Sequence, residues 1–196
     1  ISTFAFSLMT LFVKFIPDIH AFEIIFFRSL ISLVISLIAL RMKRIYPLGV
    51  NKKYLILRGV FGVTALTLFF ITLQNIPLAN AVTIQYLSPI FTAIFAIFML
   101  GERLKWLQGI FFFISFCGVL MIKGFDERIS TIYLLLGITS AIFAGLAYNC
   151  IRKVKDTDHP LVVVLYFPLI ATPLMGVLSY FNWKAPTPKE FVILLG

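Results

Sequence analysis

Charged side chains are scarce in this sequence, and acidic side chains are the scarcest. Charged residues make up 13% of the 196 residues, and only 8 residues are Asp or Glu. A soluble globular domain contains about 25% charged residues, and a chain of this size has too much surface to hide an apolar content of 61%. These values exclude an ordinary water-soluble domain and indicate a protein that lies in a lipid bilayer.

Metal-ligating residues are also few. Cys117 and Cys150 lie inside apolar runs, which favours two small buried side chains over a disulfide or a metal site. His20 and His159 fall in predicted loops on opposite sides of the membrane, so they cannot share a metal ion. The sequence contains no phosphate-binding glycine loop, no His-Glu-x-x-His and no Gly-x-Ser-x-Gly. We therefore expect no metal, no cofactor and no enzymatic activity, and an ion or solute gradient in place of ATP as the energy source.

Long apolar runs divide the chain into predicted membrane spans, each of about 20 residues. Short polar turns separate the runs, and short turns require neighbouring helices to run antiparallel. The sequence predicts an all-α polytopic membrane protein with about seven to eight helices. The predicted spans cover residues 1–16, with a truncated start, and 21–40, 54–73, 79–100, 106–122, 132–151 and 160–181, and an eighth begins near residue 189.

The net charge of +9 is distributed unevenly between the two predicted sides of the membrane. The basic residues form short clusters between apolar runs instead of a stripe with interleaved aromatic residues, so we expect no nucleic acid as a partner. One side should be cytoplasmic because it carries the larger share of basic residues. This orientation places the start of the first span in the cytoplasm. The richer side carries Arg41, Lys43, Arg44, Lys52, Lys53, Arg103, Lys105, Arg152, Lys153 and Lys155, and the other side carries Lys14, Lys123, Arg128, Lys184 and Lys189.

Two hairpins of the sequence share an order of features. Span 1 ends in a basic residue, a turn with an acid and a histidine follows, and span 2 comes next. Span 6, the turn after it and span 7 repeat this order. An offset of five spans gives the two copies opposite orientations. Inverted repeats occur in secondary transporters, with the solute site near the midplane between the halves. Any two apolar hairpins look alike, so the pattern by itself leaves a repeat and a coincidence open.

Several short motifs occur in a fixed order along the chain. They are Glu23, Phe26-Phe27-Arg28-Ser29, Pro77-Leu78-Ala79-Asn80-Ala81, Leu87-Ser88-Pro89-Ile90-Phe91, Leu100-Gly101-Glu102-Arg103-Leu104, and Gly109 followed by Gly118-Val119-Leu120-Met121. This order resembles the EamA family of the drug/metabolite transporter superfamily. The resemblance extends along the whole chain, and its most specific part is the late proline in span 4 followed by the Gly-Glu-Arg turn.

The resemblance implies a ten-helix fold of two inverted five-helix repeats with both termini in the cytoplasm. Residues 1–123 would be the first repeat, with its start truncated, and residues 132–196 the beginning of the second. The last two and a half helices would then lie outside this sequence. Members of the family move small metabolites such as amino acids and nucleosides.

Arg28 is the most unusual candidate site residue, because it lies about a third of the way into span 2. A charge at this depth costs a few kcal/mol and usually faces a cavity or a partner. Arg28 could attract an anionic group of a substrate, pair with Glu23, or extend to the interface. Lys14 and Glu23 lie near the ends of their helices and are candidates for gating or coupling, although an interfacial position is the simpler interpretation.

Span 4 has a polar stripe, because Ala81, Gln85, Ser88 and Thr92 are spaced four, three and four residues apart. Pro89 should bend the helix there and deprive a carbonyl near Gln85 of its donor. Such a stripe is what a solute path needs, but helix packing through small residues would give the same pattern.

Other candidates and structural residues follow from spacing. Thr64 and Gln74 lie on a similar stripe of span 3 together with Thr67, Tyr86 could reach a cavity from outside the span-4 stripe, and Tyr148 is a candidate near the cytoplasmic end of span 6. Gly101 and Glu102 are assigned to the turn after span 4, with Glu102 complementing the dipole of the next helix. Arg58 is most simply an interfacial residue. Gly137, Ala141 and Gly145 indicate a close-packing seam.

The leading hypothesis is a secondary transporter in a bacterial inner membrane that moves a small polar metabolite by alternating access. We expect Arg28, Gln74, Gln85 and Ser88 to face its cavity. A membrane-embedded lipid-modifying enzyme would need an acid/base or metal cluster at one interface, and a non-transporting assembly subunit would have polar residues without a connected cavity. The expected partners are a small-molecule substrate and the lipid bilayer, and the formation of a homodimer is left open.

Overall fold

The computed structural model of the protein describes residues 20–102, 106–125 and 130–181, and these residues form helices joined by short loops. Five stretches are long and apolar enough to span a membrane: Ala21–Met42, Lys52–Asn75, Leu78–Leu100, Thr131–Val154 and Pro160–Phe181. These five stretches correspond to predicted spans 2, 3, 4, 6 and 7, and predicted span 5 is a helix as well, Trp106–Phe125. Predicted span 1 with Lys14, and the eighth span, lie outside the described residues. The helices are α1 (Ala21–Met42), α2 (Lys52–Asn75), α3 (Leu78–Gln85), α4 (Ser88–Leu100), α5 (Trp106–Phe125), α6 (Thr131–Val154) and α7 (Pro160–Phe181).

The predicted fourth span is two helices, not one. The helix stops at Gln85, Tyr86 and Leu87 form a turn, and α4 begins at Ser88. Pro89 lies in the first turn of α4, has no amide proton for the carbonyl of Gln85, and its ring would crowd that carbonyl in a continuous helix. The bend that was predicted at Pro89 is thus confirmed, in the form of a break.

The two central helices of the described bundle are α2 and α6. They pack against each other, α2 also contacts α7, and α6 also contacts α3 and α4. The first helix, α1, packs mainly on α7. This arrangement surrounds the middle of α2 with α1, α6 and α7, so polar residues there can be shielded from lipid.

Two apolar clusters hold the ends of this arrangement together. One cluster is built around Ile25, Phe70, Leu73 and Ile84, and the other joins Leu55 to Val154, Val162 and neighbouring residues. The cluster with Leu55 lies near the beginning of α2. Most residues that α2 contributes to the cluster with Phe70 and Leu73 lie near the end of the helix. The segment of α2 between them is the part that meets the polar cavity described below.

The loops that carry most of the basic residues meet at one end of the bundle, which we call the basic face (residues 43–53, 101–102 and 152–159). Glu102 forms an ion pair with Arg152, and Lys153 Nζ donates to the carbonyl of Met99. Glu102 therefore contacts α6 and precedes α5, which begins at Trp106. The ion pair joins the turn after α4 to α6, and the predicted effect of Glu102 on the dipole of the next helix stays a prediction.

Asp158 ties two loops of the basic face together. Its carboxylate accepts hydrogen bonds from the amides of Val50 and Asn51, the latter at 3.2 Å. Gly49 precedes these amides with φ of 61°, and a Cβ there would lie 2.5 Å from Asp158 Oδ1. Desolvation raises the pKa of Asp158, but the hydrogen bonds from Val50, Thr157 and Asn51 outweigh it and hold the pKa below its usual value.

Two predictions about glycines are confirmed. Gly101 ends α4 in the left-handed conformation with φ of 73°, which favours glycine because other residues have a Cβ that clashes there. On α6, a Cβ at Gly137 would lie 2.9 Å from Ile84 Cγ2, and a Cβ at Gly145 would lie 2.8 Å from the amide nitrogen of Thr92. The predicted seam on α6 is therefore the surface against which α3 and α4 pack.

Candidate functional site

A cavity of about 260 Å³ opens between α1, α2, α6 and α7 at the break in the fourth span. Its volume lies just below the range of about 300–1,000 Å³ that is typical of pockets for drug-sized ligands. Most of its wall is apolar, with a few polar side chains, as is usual for a ligand pocket. The lining residues are Arg28, Arg58, Gly62, Ala65, Leu66, Phe69, Gln85, Ala144, Ala147, Tyr148, Ile151 and Phe167.

The polar lining residues lie at two depths. Arg28 and Gln85 are each seven residues from the start of α1 and α3, which places them roughly 10 Å from the end opposite the basic face. Arg58 and Tyr148 are each six residues from the ends of α2 and α6 at the basic face, or roughly 9 Å from it. We call the first pair the distal level and the second pair the proximal level of the cavity.

Arg58 turns inward to the cavity, in contrast to its predicted interfacial position. Its guanidinium lies over the ring of Phe167, with Cζ 5.3 Å from the ring centroid, a distance at which cation and ring attract each other. A Cβ on Gly62 would lie 3.0 Å from Arg58 Nη1, so the absence of a side chain there gives the guanidinium its room. The glycine one turn after Arg58 is the signal in the sequence that could have indicated this position.

Gln85 is held at the cavity by α6. Ser140 is fully buried and donates its proton to the carbonyl of Ala65, 2.7 Å away, while Gln85 Oε1 lies 3.3 Å from the same hydroxyl. Gln85 lines the cavity, and its amide nitrogen carries two N–H donors that can bond to a ligand. Ser140 was not among the site residues predicted from the sequence.

The structure brings Arg28, Gln85 and Tyr148 of the predicted site residues to one cavity. Four other candidates do not line it. Gln74 lies near the far end of α2, and the hydroxyl of Thr64 donates to the carbonyl of Val60 in the same helix. Tyr86 lies in the turn at the break, and Ser88 begins α4 after it. Tyr86 is 70% exposed. The break divides the polar stripe of the fourth span between Gln85 and Ser88. Beyond the break, the carbonyl of Thr92 accepts a hydrogen bond from the buried Asn149 of α6.

Glu23 is fully buried in the first turn of α1. It lies among residues of the apolar cluster beyond the distal level, because its neighbours Ile24 and Ile25 belong to that cluster. Its predicted role in gating or coupling stays a prediction. Pro89, Gly101 and Glu102, which were assigned structural roles, lie at the break and at the turn into the basic face.

The described helices thus combine stretches that are long and apolar enough to span a membrane with a small cavity between them. The model of the EamA-like transporter family matches residues 1–124. The chain belongs to this family. The EamA-like chain is therefore a multi-pass integral membrane protein of the drug/metabolite transporter superfamily, as its motifs indicated.

Curated relatives of this EamA-like chain carry the names of transporters. It is 31% identical to the pseudopaline exporter CntI of Pseudomonas aeruginosa over all of this chain and 70% of the exporter. It is 32% identical to solute carrier family 35 member G1 of Homo sapiens over all of this chain and 59% of that protein. An S-adenosylmethionine uptake transporter of Rickettsia bellii is 26% identical over 90% of this chain and 61% of its own length. No solved structure matches the chain.

Proposed function

We propose that the protein is a secondary transporter that moves a small polar metabolite across a bacterial inner membrane by alternating access. The observation that carries this proposal is the cavity at the break of the fourth span, where Arg28, Gln85 and Tyr148 face a common space. Polar and charged groups at membrane depth are costly in lipid, and they are usually found where they face a solute path or a partner.

The broken helix supports the same proposal. Discontinuous membrane helices form the solute sites of many secondary transporters, since a break leaves backbone and side-chain groups that can bind a solute near the midplane. Gln85 is the last residue of α3, and its side chain reaches the cavity from this break. The small volume fits a metabolite of the size of an amino acid or a nucleoside better than a lipid.

The distribution of basic residues supports an orientation. Basic residues are more frequent on the cytoplasmic side of membrane proteins, and the basic face of this chain gathers the loops after α1, α4 and α6. We place this face in the cytoplasm. One relative is named an exporter and another an uptake transporter, so an assay of this protein needs gradients of both directions.

Replacing Arg28 with alanine is expected to reduce solute uptake at least tenfold, because the distal level of the cavity loses its only cation among the described lining residues. The complete protein is reconstituted in sealed proteoliposomes, and uptake of labelled amino acids and nucleosides is measured under an imposed pH gradient of either direction. Arg41→Ala is the matched control, because Arg41 is exposed at the end of α1 on the basic face.

Saturable uptake of one solute that is lost in Arg28→Ala and retained in Arg41→Ala supports a transporter whose site includes Arg28. Normal uptake by the Arg28 variant leaves the transporter proposal intact and removes Arg28 from the solute site. An absence of uptake for every solute of a broad panel, with correct insertion, contradicts the proposal.

A further inference from the structure

The cavity contains more positive charge than one anion-binding residue explains. Besides Arg28 at the distal level, Arg58 lines the proximal level, and none of the described lining residues is acidic. The remaining polar groups, the amide nitrogen of Gln85 and the hydroxyl of Tyr148, are able to donate hydrogen bonds. Both charge and hydrogen-bonding capacity of the wall therefore complement a negatively charged ligand.

The surroundings of Arg58 show that the protein itself does not neutralise this charge within the described residues. Its Nε atom is buried and has no hydrogen-bond acceptor among them, and no described carboxylate forms an ion pair with it. Its guanidinium lies over the ring of Phe167, which carries no net charge. An arginine at this depth in a membrane helix is costly, and a buried donor without an acceptor adds to that cost.

We propose that the transported solute is a small organic anion and that Arg58 binds its anionic group at the proximal level of the cavity. This inference rests on the proposed function and adds the substrate class to it. Guanidinium presents several donors in a plane that matches a carboxylate or a phosphate group. The ring of Phe167 packs against this plane and the space at Gly62 accommodates it, so the guanidinium lines the cavity, where an anion can accept hydrogen bonds from it.

The proposal predicts opposite effects of one substitution on stability and on binding. Arg58→Gln removes a desolvated charge that has no described acidic partner. We expect this gain to offset the loss of the contact with the ring of Phe167, so the ligand-free variant should unfold at the same temperature as the wild type or above it. The same variant should lose at least tenfold in affinity for anions, and Arg58→Lys should retain part of this affinity because it keeps the charge. Sites kept for function at the expense of stability show this combination.

The experiment uses the complete purified protein and thermal unfolding in the presence of matched pairs of probes. The pairs are acetate and acetamide, succinate and succinamide, and glutamate and glutamine, with inorganic phosphate as an additional anion. We expect at least one anion to raise the unfolding temperature more than its neutral partner, in the wild type and in Arg41→Gln, and this difference to vanish in Arg58→Gln. Arg41→Gln removes the same charge from an exposed position.

Three results would overturn the inference. The first is a lower unfolding temperature of ligand-free Arg58→Gln, which means that the charge has a structural partner. The second is the same preference for anions in Arg58→Gln as in the wild type, and the third is no preference in any pair. Saturable uptake of a neutral solute by Arg58→Gln supports the transporter proposal and contradicts the anion site. Arg58-dependent anion binding without any uptake supports the anion site and contradicts the transporter proposal.

Discussion

Replacing Asp158 with alanine is expected to lower the free energy of unfolding by about 3 kcal/mol, because hydrogen bonds to a charged group contribute roughly 1.5–3 kcal/mol each. The carboxylate accepts hydrogen bonds from the amides of Val50 and Asn51, and it is buried, with 6% of its surface exposed. Alanine leaves both amides without this acceptor. Thermal unfolding of the purified protein measures the loss, with Asp156→Ala as the control, since Asp156 is exposed two residues earlier.

The same contact predicts a dependence on pH. The pKa of Asp158 is lower in the folded protein than its usual value of about 3.9, so the folded state binds the proton more weakly than the unfolded state. The stability contributed by Asp158 is therefore complete above the unfolded pKa and is lost as the pH falls through the folded pKa. The difference in unfolding temperature between the wild type and Asp158→Ala should shrink in this acidic range. A difference that stays constant down to the lowest pH would contradict the assignment of these bonds to the charged carboxylate.

Residue order alone was enough to predict the helices of this fold, because the apolar runs and the short turns between them are local signals. The break at Tyr86 and Leu87 was also within reach, since Pro89 acts on the carbonyl of Gln85 four residues earlier regardless of the rest of the fold. The seam at Gly137 and Gly145 was predicted from spacing for a similar reason. Four-residue spacing puts small residues on one side of a helix, and membrane helices approach each other closely at sides that carry small residues.

The cavity was harder to predict, because it depends on how each helix is rotated about its axis. Arg58 lies close enough to the end of α2 to reach the interface, so its sequence position fits an interfacial residue as well as a cavity residue. Its inward orientation is decided by long-range contacts, the ring of Phe167 on α7 and the space at Gly62. Tyr86 shows the reverse case, since the turn that Pro89 imposes leaves its side chain 70% exposed.

The seam between α4 and α6 brings the backbones of these two helices close together. A Cβ at Gly145 would lie 2.8 Å from the amide nitrogen of Thr92 and 3.0 Å from the carbonyl carbon of Phe91. These are backbone atoms, so they cannot move aside as the end of a flexible side chain does. One turn further on, Asn149 donates to the carbonyl of Thr92 at 2.8 Å. Close approach at Gly145 is therefore a condition for the buried hydrogen bond of Asn149.

Gly145→Ala is expected to lower the free energy of unfolding by about 1–3 kcal/mol, the usual cost of adding a methyl group to a filled interior, and Gly145→Leu should yield no folded monomer. Size-exclusion chromatography and thermal unfolding measure both effects. The control is Gly109→Ala on α5, where a Cβ would meet nothing within 4 Å and alanine favours the helix by up to about 1 kcal/mol. If Gly145→Ala unfolds at the temperature of Gly109→Ala, α4 and α6 are free to separate. The hydrogen bonds from Ser140 to Gln85 and from Asn149 to Thr92 need a fixed distance between α6 and the broken fourth span. In that case the seam does not set this distance, and the position of Gln85 at the cavity does not depend on it.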